Sequence, residues 1–346
     1  MQSTKKFGCK VMSKKTTRIA YLDAVKLVTM YLVILGHVTQ MMVQGWTVGE
    51  HLWKTIYSFH MPLFMMVSGF FVSQKMLKLP FVDMLKTKAM QLLLPAVTCT
   101  VVCCIYLYLV RDTVNYRDEI IGNSWFLKTL FVYYVFIWLL KRTKLNDWKL
   151  CALSCIFLFL IPKGSSLQVN LLWPYFWAGY FLKKHQVLDK IVGKWQVVLG
   201  FFLVYITAYT LQWHWDIPNI ITINFDNLCL QWHLILFRYI VAFCGCMFVV
   251  SLIAWIYTRI QESHWLRTAS NFGKYTLGIY VLQTVLVCNI FPDTLAWYVE
   301  SRWLLDLIVA PTLALLFLLL CLLLIHLMSK NKTLDLLFFG GQYYRR

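Results

Sequence analysis

Three ionisable side chains interrupt an otherwise apolar run near the start of the chain. The stretch from Arg18 to Gln44 reads RIAYLDAVKLVTMYLVILGHVTQMMVQ and carries Asp23, Lys26 and His37. A charge at membrane depth costs about 2.5–3.5 kcal/mol on insertion scales, so three such groups in one span need a protein interior, a cavity or a job. Histidine titrates near neutral pH and suits general-base work, and a lysine can hold an anionic group as a point charge. Lys26 and His37 are 11 positions apart, close to three helical turns, which puts them on one face and about 16 Å apart along the axis. The same face carries Asp23, Met30, Val33, Gln40 and Gln44, so the stripe is polar at both ends and apolar in the middle.

The next apolar run contains SFHMPLFMMVSGFF and places His60 near its start. If the two runs are adjacent antiparallel spans, His60 and His37 lie at similar depth. His60 reads either as an orienter or substrate ligand beside His37 or as a packing residue, because no carboxylate is placed beside it by sequence. Asp23, three residues before Lys26, is set to pair with it and neutralise it. Further along, Trp125 and Lys128 sit on adjoining turns, where Lys128 either snorkels outward or faces a cavity. Arg238 falls inside an apolar run and is read as an interior cation for an anionic acyl or phosphate group.

These residues must be positioned by membrane helices. Of 346 residues, 60% are hydrophobic and only 14% charged, with mean hydropathy +0.64, against about 25% charged in soluble domains. The expected fold is all-α and polytopic, a single transmembrane domain over residues 18–330, with a basic tail at 1–17 and a C-terminal tail at 331–346. At about 20 residues per crossing, ten spans are predicted near 21–43, 55–74, 90–111, 124–140, 148–162, 166–182, 195–213, 233–257, 275–292 and 303–328. The first run is too long and lacks a small-x-small site for a cleaved signal peptide, so it is read as a retained span. With both termini cytoplasmic, Lys54, Arg111, Arg117, Lys163 and Arg302 fall outside and Lys26, Lys128 and Arg238 within spans, leaving 25 of the 33 Lys and Arg on the inner side, as the positive-inside rule requires. That distribution accounts for the net charge of +18 without a nucleic-acid partner.

Most of the 11 cysteines lie in apolar runs and read as small hydrophobes. Neither Cys103–Cys104 nor Cys244-x-Cys246 has a partner pair at metal-ligand spacing, so no metal is expected. The largest outer loop, His214 to Trp232, combines tryptophans with amides and carboxylates that suit a sugar, although tryptophan at span ends is also the ordinary interfacial belt. A homo-oligomer stays open, since lipid-facing and subunit-facing apolar surfaces look alike.

The segments YLDAVKLVTMYLVILGH, FHMPLFMMVSGFF, NSWFLKTLFVYY and GKYTLGIYVLQTVL, taken together and in order, resemble the acyltransferase-3 family of integral-membrane acyltransferases. The resemblance covers most of the chain. It implies transfer of an acyl group, acetyl above all and sometimes succinyl, from acyl-CoA to hydroxyls of cell-surface or lipid-linked glycans at the bacterial inner membrane. The family's first-span signature is a basic residue, ten intervening residues and a histidine, which Lys26 and His37 fit. By that likeness His37 is the catalytic histidine and Lys26 a cation on the coenzyme side. Where the family carries an Arg-x-x-Arg pair near the third span, this chain has KTKAMQLLLP, with Lys86 and Lys88 supplying charge. Where the ninth-span pattern often ends in histidine, this chain has Gln283, which hydrogen-bonds but takes up no proton at neutral pH.

The expected division of labour follows. Arg18, Lys26, Lys86 and Lys88 hold the coenzyme phosphates, the pantetheine arm runs outward along the first span, and His37 deprotonates the acceptor hydroxyl, with His60 as its companion. Asp23, Trp125, Lys128, Arg238 and Gln283 are the orienting or substrate-binding candidates. The competing class is a transporter or flippase of a lipid-linked glycan, which also lines an internal path with charge but commonly shows paired repeats with broken helices, and no repeat is visible here.

Overall fold

The computed structural model describes residues 20–42, 51–111, 114–160, 167–219, 221, 223–260, 264–290 and 302–344. Among them there are helices and turns and no strand. The order is α1 (Ala20–Met42), α2 (His51–Tyr57), α3 (His60–Phe70), α4 (Gln74–Lys78), α5 (Phe81–Lys88) running through a π turn at Ala89–Leu93 into α6 (Leu94–Arg111), α7 (Tyr116–Gly122), α8 (Trp125–Leu140), α9 (Asp147–Phe159), α10 (Val169–Lys184), α11 (Val187–Ile191), α12 (Trp195–His214), α13 (Phe225–Arg259), α14 (His264–Phe272), α15 (Thr276–Gln283) with a π turn at Thr284–Ile290, α16 (Ala310–Met328) and α17 (Lys332–Phe339).

Among the described residues, five helical stretches are long and apolar enough to cross a bilayer: Tyr21–Met42, Phe81–Val110, Trp195–His214, Phe225–Arg259 and Leu305–Met328. The pair α7 and α8, bent by 56°, makes a sixth if it is one broken span. The other predicted spans coincide with shorter helical pieces. The α2–α3 run breaks at Ser58 and Phe59, and α9 has 13 residues, about 20 Å at 1.5 Å per residue, which is short of the hydrocarbon thickness of about 30 Å.

The bundle is built around α1. Its apolar window is 67% buried, against 17% for α12, and α1 packs on α2, α3, α13, α14, α15 and α16. A helix touched on every side can carry charge only where neighbours supply partners or space, which is the constraint that the sequence stripe anticipates. By contrast α12 pairs with α13 and leaves its aliphatic side chains exposed, as a lipid-facing helix does.

One crossing is tighter than the rest. At Gly69 on α3, an added Cβ would lie 1.9 Å from the Phe176 carbonyl oxygen, and at Gly179 on α10 it would lie 1.8 Å from that of Met66. Two glycines thus let α3 and α10 meet backbone to backbone, the device that membrane helices use where apolar burial alone does not favour association. Beside this crossing Ser154 Oγ of α9 accepts from Trp173 Nε1 at 2.9 Å and Trp177 Nε1 at 3.2 Å on α10, pinning two fully buried tryptophans.

The segment 331–346, read from sequence as a tail, is folded onto the bundle over its described residues. Asn331 caps α17, the fully buried Asp335 accepts from the Tyr343 N–H at 3.0 Å, and the Tyr343 hydroxyl accepts from the Gly278 N–H of α15 at 3.3 Å.

Candidate active site

Two polar groups of side chains occupy the two ends of the α1 stripe. At one end His37 is half-buried, and its Nδ1 is fully buried without a hydrogen-bond partner. Gln40 lies one turn on along the same helix. The Gln40 carbonyl oxygen accepts from the Tyr57 hydroxyl of α2 at 2.9 Å. Tyr57 comes this close because position 36 is glycine: a Cβ there would meet the Tyr57 ring at 3.0 Å.

His60 joins the same group. Its imidazole lies within electrostatic range of His37, and the Tyr57 ring packs edge-on against it with centroids 4.6 Å apart. The Nδ1 of His60 is 2.8 Å from the Ile56 carbonyl. A carbonyl only accepts, so Nδ1 carries the proton and Nε2 of the neutral ring is left as a lone-pair nitrogen. The partners that orient His60 are a backbone carbonyl and an aromatic ring rather than a carboxylate.

Arg238 is buried on α13 and bonds backbone carbonyls through all three of its nitrogens. Nη1 donates to the Ser58 carbonyl at 2.6 Å, Nη2 to Tyr57 at 3.1 Å and Nε to Asn219 at 2.8 Å. The break between α2 and α3 leaves carbonyls without helical donors, and a guanidinium with five N–H groups is the side chain able to satisfy several at once. Arg238 therefore holds the turn that presents Tyr57 and His60.

At the other end of the stripe, Lys26 donates to Asp23 at 2.9 Å and lies 3.8 Å from the centre of the Phe71 ring. It lines a cavity of about 210 Å³ shared with Lys88, Gln91, Tyr134, Tyr280 and Gln342, with Phe64, Phe71, Phe126 and Leu130 among its apolar walls. Lys88 donates to Gln91 Oε1 at 3.2 Å and sits 3.9 Å over the Tyr134 ring. The Tyr280 hydroxyl accepts from the Phe126 N–H at 3.3 Å. Lys86 is exposed and does not line the cavity, and Arg18 lies outside the described residues.

The remaining candidates scatter. Lys128 donates to the carbonyls of Asn123, at 2.6 Å, and Ile120, closing the bend between α7 and α8 rather than snorkelling or facing the cavity. Trp125 is half-buried beside Phe126. Gln283, one turn beyond Tyr280, is fully buried; its amide donates to Thr284 Oγ1 at 3.0 Å while its Oε1 has no partner. Between the two ends of α1 lie the fully buried Met30 and Val33, and neither histidine borders the cavity.

Sequence reading missed Tyr57, Tyr280 and Gln342 as site residues. Tyr57 precedes His60 by three positions, a helical spacing that offered a signal, and Tyr280 lies inside GKYTLGIY. Gln342 offered none.

Among known proteins, the chain is similar to the nodulation protein NolL of Sinorhizobium fredii, 33% identical over 174 residues, covering 46% of this chain and 47% of that protein. It is also similar to the nodulation protein NolL of Mesorhizobium japonicum, 30% identical over 174 residues and covering 46% of each. The matched region thus spans less than half the length of these relatives. No solved structure matches. The family comparison reaches much further, matching the acyltransferase-3 model, described as an acyltransferase domain, over residues 19–327. That range takes in α1, the histidine pair and all of the lysine-lined cavity except Gln342, and the chain belongs to the acyltransferase-3 family.

Proposed function

We propose that this protein is a membrane acyltransferase that moves an acyl group, acetyl in the first instance, from acyl-CoA to a hydroxyl of a cell-surface or lipid-linked glycan, with His37 as general base. The observation that carries this reading is the polarity of α1, which borders a cavity with two lysines at one end and a pair of imidazoles at the other. The family membership supports the reaction class.

The residues present fit such a donor. Lys26 and Lys88 offer positive charge to phosphates, and the aromatic and aliphatic walls suit a chain-like arm. A volume of about 210 Å³ takes part of that arm and leaves the nucleotide at the mouth. In the transfer, the acceptor oxygen attacks the thioester carbonyl carbon, its proton passes to a lone-pair nitrogen of His37, the carbon–sulfur bond breaks, and the proton leaves with the coenzyme thiol. Gln40 lies one turn from the base along α1, and Tyr57 holds Gln40 in place. The chain crosses a bacterial inner membrane ten times with its N-terminus inside, a topology supported by the clustering of Lys and Arg in alternate loops.

The test is transfer of radiolabelled acetyl from acetyl-CoA to a glycan acceptor by the purified protein. His37→Ala is expected to abolish transfer while the protein stays monodisperse in detergent. Full transfer by a folded His37→Ala variant would overturn the assignment of the base, and movement of glycan across vesicles without acyl transfer would overturn the reaction class.

A further inference from the structure

The C-terminal segment lies beyond the family match, which ends at residue 327, yet it closes the lysine-lined cavity. It does so through a chain of contacts that starts in the bundle. Asn331 Oδ1 accepts from the N–H groups of Thr333 and Leu334 and starts α17. Both Asp335 oxygens face the Tyr343 N–H, at 3.0 and 3.3 Å, so the chain turns back on itself after Phe339. The Tyr343 hydroxyl then bonds the Gly278 N–H on α15, and its ring packs between Phe339 and Tyr275 with centroids at 5.3 and 5.0 Å. Asp335, Phe339 and Tyr343 are all buried. The residue held between this anchor and the cavity is Gln342.

We propose that residues 331–344 form a fixed wall of the donor site and that Gln342 recognises the amide-bearing arm of the acyl donor. This rests on the function proposed above. Among the cavity's other polar side chains, Lys26 bonds Asp23, Lys88 bonds Gln91, Ser68 bonds the Phe64 carbonyl and the Tyr280 hydroxyl accepts from the Phe126 amide, while Tyr134 and Thr276 also line the wall. Gln342 is half-buried at the cavity wall and brings a carboxamide, which both donates and accepts and so matches a secondary amide on its donor and acceptor sides together. The lysines can only donate. A wall made by Gln342 thus adds discrimination for the pantetheine portion that charge alone cannot give.

The experiment compares wild type, Gln342→Leu and Gln342→Ala in the full chain. Binding of coenzyme A is measured by calorimetry, and steady-state transfer is measured with acetyl-CoA and with acetyl-pantetheine, which lacks the nucleotide. The expected result for Gln342→Leu is a rise of about tenfold in coenzyme A Kd and in KM for both donors, with kcat within about twofold of wild type, acceptor KM unchanged and the thermal midpoint retained. Gln342→Ala is expected to match it, which separates loss of the amide from a change in side-chain volume. Unchanged donor Kd and KM in a folded Gln342→Leu protein that binds coenzyme A as wild type does would overturn the role of Gln342 and leave the acyltransferase reading intact. Failure of the wild type itself to bind coenzyme A would overturn both. A defect with acetyl-CoA that vanishes with acetyl-pantetheine would also overturn the proposal, by moving the contact to the nucleotide.

Discussion

The hydroxyl of Tyr57 donates to the side-chain carbonyl of Gln40 at 2.9 Å, joining α2 to α1. The same phenol ring lies against His60, with Trp53 also stacked on it at 4.2 Å. Tyr57 is therefore the side chain through which the two imidazoles share a common reference.

Tyr57→Phe keeps the ring and its packing but removes that hydrogen bond. A net loss of about 0.5–1.5 kcal/mol is expected for such a bond, and if it is realised in the transition state the rate falls up to about tenfold. Steady-state transfer should show lower kcat with little change in donor KM, and the thermal midpoint should drop only slightly.

Arg238→Met removes donors from the carbonyls of Tyr57, Ser58 and Asn219 at once. Bonds from a charged donor contribute about 1.5–3 kcal/mol each, so the variant should lose more than about 3 kcal/mol of stability in detergent-titration unfolding. Because the α2–α3 turn carries His60, surviving folded protein should also transfer poorly. Retained stability would show that these carbonyls find other donors.

Lys88→Met and Lys86→Met separate two lysines that look equivalent in sequence. Lys88 lines the cavity and Lys86 is exposed. Donor KM should rise about tenfold or more for Lys88→Met and stay within about twofold for Lys86→Met, measured with acetyl-CoA at low ionic strength, where point-charge attraction is least screened.

Asp147, which opens α9 at the end of the α8–α9 loop, predicts a pH effect on stability. Burial works against its charged form, but Lys141 and Lys184, the latter at 2.5 Å, outweigh burial and hold the carboxyl below its usual range, with Tyr180 donating at 3.1 Å. A depressed folded value stabilises the fold above the unfolded carboxylate value of about 3.9 and loses that contribution as pH falls through the folded value. The thermal midpoint of wild type should therefore fall more steeply below about pH 4 than that of Asp147→Asn, and the two curves should converge at the acid end.

How much of this was legible depended on whether a residue's partners were local or brought in by a break in a helix. The α1 stripe was readable because helical periodicity alone sets which residues share a face, and Lys26, Met30, Val33 and His37 take the positions it implies. The pairing of His60 with His37 rested on depth alone. Lys86 and Lys88 could not be separated, since two residues along a helix is a rotation of about 200° and only packing decides which side meets the cavity. The backbone bonds of Arg238 and Lys128 went unread for one physical reason. Both were weighed as charges seeking anions or water, whereas each serves carbonyls freed where helices bend, after Tyr57 and after Ile120, and an apolar run shows no such break in its composition. Gln342 depended on a long-range contact between Tyr343 and Gly278 that no local pattern encodes.

The glycine crossing of α3 and α10 also bears on how an acceptor reaches the imidazoles. With the Gly69 and Gly179 backbones already in contact with the opposite helix, neither helix can slide past the other without a collision of carbonyl groups. His60 is thus mounted on a stationary half of the molecule. The π turn that follows α15 packs against α1, and a shift in hydrogen-bond register there can move side chains without unfolding the helix.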